Sequence, residues 1–200
     1  MATSSLTGSW IYLEEDVMAR SQPPITTEIQ RQQWLDQEDA WMRDTVRSFG
    51  WAVQSVLADG CWGSPSCSCG RPRGVSPPFA YTIGLFGFGH PELLIYGMHD
   101  DSAAGVLNEL GERVRRGHML VPGELQTFDN WPHRIHLFPF RDDGDLPVLI
   151  SAQRFYERRQ DDPVPALQCV WDDRWGRFPW EPGYDPPPGL QPLPQSFGRA

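Results

Sequence analysis

The amino-acid sequence predicts an α+β fold: a single domain with a mainly antiparallel β-sheet flanked by helices, rich in loops and extended at both ends. Three observations carry that expectation. Pro77–Met98 holds two strand-like apolar runs, Phe79–Phe86 and Glu92–Met98, joined through Gly87, Phe88, Gly89, His90 and Pro91, a connection of hairpin length. Residues 26–49 and 100–116 instead place apolar side chains at helical spacing. The strand-like and helix-like segments do not alternate regularly, as a parallel β/α array requires.

Taken in order, residues 1–25 read as an N-terminal extension, polar except for Trp10–Leu13 and stopped by Pro23 and Pro24. Residues 26–184 read as the domain. Thr26 or Thr27 can cap its first helix, Glu28 suits the first turn, and Leu35, Met42, Val46 and Phe49 supply apolar positions before Gly50 closes it. Trp51–Leu57 is a strand, and residues 58–77 are an aperiodic loop of Gly, Ser, Pro and Cys. Leu93–Tyr96 is almost continuously apolar, so the second run of the hairpin belongs in mid-sheet with both faces covered. From Asp100 to about Arg116 a helix presents Ala103, Val106, Leu107, Leu110 and Val114 on one face, with arginines at its negative end. Residues 118–130 are a loop with room for a short strand, and Arg134–Phe140 alternates as a strand. Pro147–Tyr156 favours a short helix, and Ala166–Trp171 is the last strand. The prolines of residues 185–200 forbid regular structure and predict a tail.

Two hundred residues suffice for one domain with a substantial core. The formal charge of −9 argues against nucleic acid and anionic membranes as partners, since both need a basic face. No apolar run can span a bilayer, and the N-terminus lacks the basic start and apolar core of a signal peptide; the expected location is the cytoplasm. All seventeen basic residues are arginine. The chain therefore offers no lysine for a Schiff base, for pyridoxal phosphate or for a P-loop. A serine nucleophile elbow, a glycine-rich dinucleotide loop and an H-E-x-x-H zinc motif are missing too, and no cofactor is expected.

Three groups of residues could carry chemistry. His90 and Glu92 flank Pro91 in the central turn and could serve as an acid/base pair facing one pocket, because residues two apart on an extended chain point the same way. The plainer reading, that His90 caps the turn through a backbone carbonyl while Glu92 is solvated, takes precedence. On the preceding strand, Thr82 is the better partner for such a pocket than Tyr81, which points to the opposite face. Residues 171–182 pack Trp171, Asp172, Asp173, Arg174, Trp175, Arg177 and Trp180 closely. They could wall an aromatic ligand pocket, with Trp171, Arg177 and Trp180 as contacts, or form a turn whose tryptophans cover the sheet. Cys61-x5-Cys67-x-Cys69 could offer three soft ligands, with Cys169 or a histidine as a fourth. That spacing is not the paired C-x2-C of strong zinc motifs, so inert thiols and no metal are the expectation. His133 and His136 fall on opposite faces of a strand and make a poor metal pair.

Several stretches together resemble a known family: Gly50–Val53, Pro77–Leu85, Gly89–Met98, Leu107–Gly117, Val121–Glu124, His133–Phe140 and Ala166–Tyr184. The resemblance, over roughly residues 37–184, is to the bacterial domain-of-unknown-function family 4262. It implies one compact domain in a mostly actinobacterial or proteobacterial setting. It implies no activity, because that family is defined by sequence and not by a reaction. The chain departs from the pattern in its N-terminal extension, the Cys-rich loop, the proline-rich tail and Cys169, where an aliphatic residue is usual.

The expected function is a non-enzymatic domain that binds a partner protein, peptide or small molecule through the aromatic C-terminal segment and the central turn. The alternative is a small enzyme using His90 with Glu92 or Asp172. A weaker alternative is zinc held by Cys61, Cys67 and Cys69. The first two readings gain if His90 and Trp171–Trp180 line one pocket.

Overall fold

The computed structural model describes residues 27–63, 67–142, 147–159 and 161–193. The expected N-terminal extension, residues 1–25, lies outside them, as do residues 194–200 of the expected tail. The chain divides into two units, Met1–Asp39 and Ala40–Ala200. Among the described residues no helix is long and apolar enough to cross a membrane.

Helix α1 runs Glu28–Phe49 and opens with a reciprocal cap. The Gln30 N–H donates to Thr27 Oγ1 (3.2 Å) and the Thr27 N–H donates to Gln30 Oε1 (3.1 Å). Thr27 is therefore a capping residue, and Thr26 lies outside the described residues. Within the second unit, Met42 is the fully buried residue of this helix, whereas Phe49, expected on its apolar face, stays 66% exposed.

The remaining elements are β1 (Ala52–Val56), β2 (Phe79–Ile83), a single 3-10 turn (Leu85–Phe88), β3 (Glu92–Tyr96), α2 (Asp100–Arg115), β4 (Leu125–Phe128), β5 (Trp131–Phe140), α3 (Ile150–Phe155) and β6 (Ala166–Trp171). They build a six-stranded sheet in the order β1-β2-β3-β6-β5-β4. Only β3 and β6 pair in parallel; the other neighbours are antiparallel, so the α+β class with a mainly antiparallel sheet holds. β3 lies inside the sheet and is buried at all five residues, as its continuous apolar run requires. β2 stops at Ile83, well short of Phe86, because Gly84 (φ +134°) breaks the extended chain. β5 begins at Trp131, earlier than expected, because its first residues pair with β4 before the rest pair with β6.

Alternation along the strands sorts the core onto two faces. Leu93, Ile95, Leu137 and Cys169 pack with Val106, Leu107 and Leu110 of α2. Tyr81, Ile83, Leu94 and Ala166 pack with Met42, Leu149 and Ala152 on the other side. Each fully buried Leu or Ile contributes roughly 1.5–3 kcal/mol of transfer free energy. α2 comes close to the sheet edge because Gly111 lets the Trp51 ring in: a Cβ there would stand 2.6 Å from the indole. The described part of the proline-rich segment, 185–193, has no helix or strand, yet it packs on β6. Leu190 and Gln191 are buried, and the Gln191 amide bonds both the N–H and the C=O of Trp171.

Candidate functional site

The turn between β2 and β3 is built around Glu92, whose side chain is fully buried. Four neutral donors converge on its carboxylate. Thr82 Oγ1–H reaches Oε2 (2.6 Å), while the Gly84 N–H (2.9 Å), the Phe86 N–H (3.1 Å) and the Tyr156 hydroxyl (2.5 Å) reach Oε1. Thr82 Oγ1 in turn accepts the Leu93 N–H at 2.8 Å. The solvated Glu92 of the plainer reading is therefore corrected, since the carboxylate takes up the backbone donors that the kink at Gly84 removes from the β2 ladder. Burial pushes the Glu92 carboxyl above its ordinary value, and the four hydrogen bonds oppose that only in part. Burial and the Glu92 carboxylate also raise the Tyr156 phenol.

His90 goes elsewhere. Its ring is buried, with Nδ1 2.6 Å from the Pro91 carbonyl and Nε2 3.2 Å from the Leu120 nitrogen. A proton on Nδ1 donates to Pro91 and leaves Nε2 to accept the Leu120 N–H, so both nitrogens have backbone partners. His90 and Glu92 share no hydrogen-bond partner. Thr82 joins Glu92 and not His90.

The parallel β3–β6 pairing separates these residues from the aromatic C-terminal segment. Glu92 aligns with Ala166, whereas the Trp171 indole N–H donates to the Tyr96 carbonyl at the far end of β3. Glu92 to Tyr96 spans about 13 Å at the usual strand rise. His90 and Trp171–Trp180 accordingly sit at opposite ends of the central strands and line no common pocket.

Within that segment both aspartates are buried and bond the chain itself. Asp172 accepts from the Arg134 N–H (2.9 Å) and Nε (2.7 Å), with His133 Nδ1 at 3.2 Å. Asp173 accepts the N–H groups of Trp175, Arg177 and Asp185 and the Arg177 Nε. Burial alone would raise the Asp173 carboxyl, but those N–H groups and the Arg177 charge hold it below the usual value. The three tryptophans do not form a wall. Trp171 covers the end of β3, Trp175 is 66% exposed, and Trp180 stacks on Phe178 (4.9 Å between centroids) beside His136 and Phe138. Arg177 lies along Asp173 and the backbone of Gly183.

The cysteines divide. The Cys61, Cys67 and Cys69 sulfurs all lie within 4.8 Å of one another, whereas Cys169 is buried in β6, its thiol pushed up to about 12 by desolvation.

A concave site lies where the amino-acid order offered no candidate. Between α2 and the β4–β5 hairpin runs a groove of about 390 Å³. Phe128 and Trp131, edge to face at 5.4 Å, make its aromatic wall. Gly105 and Val106 form its floor, and Ser102, Glu109, Arg113, Asp129 and Asn130 its polar rim. Arg113 fixes the shape by reaching from the helix to Gln126 Oε1 (2.8 Å) and the Thr127 carbonyl (2.7 Å), its guanidinium 4.8 Å above the Phe128 ring. The available signal was Asp129-Asn130 between two aromatic residues, a two-residue hairpin turn. A helix-interior glycine over open space, Gly105, was the other.

Among known families, the one described as "Domain of unknown function (DUF4262)" matches residues 45–185. No curated protein and no solved structure matches the chain. The family match runs from the end of α1 through every strand of the sheet and past the buried Asp173, so the chain belongs to the DUF4262 family.

Proposed function

We propose that this chain is a non-enzymatic binding domain that takes a small organic ligand in the groove between α2 and the β4–β5 hairpin. The ligand lays an apolar or aromatic face on Phe128 and Trp131 and turns a hydrogen-bond-donating or cationic group toward Glu109 and Asp129. The observation that carries this reading is the groove itself. Its volume suits a small molecule, and its aromatic wall faces five polar side chains that can orient one. The formal charge of −9 favours a neutral or cationic ligand over an anionic one. The acid–base alternative has less support, because His90, Glu92 and Asp172 are engaged by partners within the chain.

Gly105 supplies the test. It is exposed, and nothing lies within 4 Å of a Cβ added there, so a side chain enters the groove without touching the core. Gly105→Ala should raise stability by about 0.5–1 kcal/mol, the cost of a helix-interior glycine. Gly105→Leu should fold equally well and fill the floor. Saturation-transfer NMR with a library of small aromatic amines should find binders that shift the Trp131 indole resonance. Those binders should weaken at least about tenfold in both Gly105→Leu and Trp131→Ala, the loss of one good apolar contact. Unchanged binding in both variants would remove the groove as the site.

A further inference from the structure

We propose that Cys61, Cys67 and Cys69 form a zinc site, with three thiolates from the chain and a fourth position open to solvent. The spacing gave little reason to expect it, and the folded loop supplies the reason. A tetrahedral zinc with Zn–S bonds of about 2.3 Å sets its sulfurs about 3.8 Å apart. The three sulfurs already lie within 4.8 Å of one another, so closing on a cation needs only small side-chain rotations. A disulfide would engage two of them and leave the third without a purpose. Convergence of all three is what a soft cation uses.

The loop holds this arrangement through contacts that do not involve sulfur. Its two limbs are zipped at the base, where the Cys61 N–H donates to the Pro72 carbonyl (2.7 Å) and the Gly74 N–H to the Cys61 carbonyl (3.3 Å). Asp59 Oδ1 accepts the N–H groups of Val75 (2.8 Å) and Ser76 (3.1 Å), closing the same base. The limbs press so close that a Cβ on Gly60 would stand 2.6 Å from the Gly74 backbone. Arg73 then anchors the loop outward, stacked 4.2 Å over Trp62 and bonded to the Pro188 carbonyl at 3.0 Å. Next to the sulfurs, a Cβ on Gly63 would lie 3.2 Å from Cys67 Sγ and 3.7 Å from Cys61 Sγ. The backbone there runs directly against the thiols, where a side chain would obstruct them.

Beside the three sulfurs, the Arg71 backbone N–H bonds Cys69. Three thiolates around a divalent cation leave one net negative charge, and Arg71 lies beside it. Cys61 is half-buried while Cys67 and Cys69 are exposed, so the open face belongs to the fourth ligand, a water or an incoming donor. Cys169 cannot be that ligand, since it is enclosed among Leu93, Leu137 and Leu167 in the core beneath α2.

The test uses the full chain, reduced and stripped of metal under anaerobic conditions, then titrated with Co²⁺ and afterwards with Zn²⁺. One equivalent of cobalt should produce a thiolate-to-metal charge-transfer band and the strong visible bands of a tetrahedral centre, and one equivalent of zinc should abolish both. Cys67→Ser and Cys69→Ser should each weaken zinc binding by more than about a hundredfold, beyond what losing an outer hydrogen-bond partner of a ligand costs. Cys67→His keeps a donor at the same place and should restore a cobalt spectrum with less charge-transfer intensity. Cys169→Ala should leave the stoichiometry at one. Three results would overturn the site: no charge-transfer band from the fully reduced chain, a band that survives both serine variants, or a disulfide in air with no metal uptake after reduction.

Discussion

Glu92→Ala should lower the free energy of unfolding by about 3–5 kcal/mol, among the largest single-residue losses in this chain. The change removes the acceptor shared by the Phe86 and Gly84 N–H groups and the Thr82 and Tyr156 hydroxyls, and leaves the Gly84 N–H only the Tyr156 oxygen at 2.7 Å. Solvent does not reach that partner in the intact chain, so nothing outside the protein satisfies these donors without entering the cavity. Glu92→Gln is the finer probe. It keeps the shape and an acceptor but puts an amide N–H₂ where one oxygen was, and should cost about 1–3 kcal/mol. Urea unfolding of the three proteins reads both losses, and a loss below about 1 kcal/mol for Glu92→Ala would show that the carboxylate does not hold the turn.

The same residue predicts an unusual pH dependence. Its folded pKa is raised, so the folded state holds the proton more tightly than the unfolded chain. The stabilisation is therefore complete below the ordinary glutamate value and is lost as pH rises through the raised one. As pH falls toward the ordinary glutamate value, the wild type should gain stability relative to Glu92→Gln, which does not titrate. Asp173 works in the opposite sense. Its lowered pKa gives stability that is present above the ordinary aspartate value and lost as pH falls through the depressed one, in a more acidic window. A difference between wild type and Glu92→Gln that stays flat as pH falls from neutral toward the ordinary glutamate value would contradict the raised pKa.

Gly84→Ala should also be severe, costing at least about 3 kcal/mol. Gly84 has φ +134°, which an L side chain rarely adopts, and the added Cβ would stand 2.5 Å from the Gly50 carbonyl oxygen and 2.6 Å from the Trp51 Cα. Those are backbone atoms of the segment between α1 and β1, so they cannot turn aside as a side chain does. Gly87 sits in the same turn without a positive φ and with nothing within 4 Å of its added Cβ. Gly87→Ala should therefore change stability by no more than about 0.5–1 kcal/mol. Thermal or urea unfolding of the pair separates a position-specific clash from a general intolerance of the turn, and equal losses would refute the kink as drawn.

The elements themselves were legible in the amino-acid order. The buried run of β3, the apolar face of α2 and a threonine cap on α1 depend on spacing and residue type within a few positions, and these are local properties. Most of the site was not local. Glu92 finds Tyr156 across 64 residues, His90 finds Leu120 across 30, and Asp172 finds Arg134 across 38. Two residues apart in sequence, His90 and Glu92 could have shared a pocket, which was the less favoured reading. The chain is extended only from Glu92 onward, so the alternation rule does not reach back to His90. The groove joins α2 to a hairpin that follows it, and the three sulfurs meet only because the limbs of the loop zip together at Cys61, Pro72 and Gly74. Periodicity says which face a side chain leaves from. What a polar or soft group meets there depends on which distant segments the sheet pairing and loop closure bring against that face.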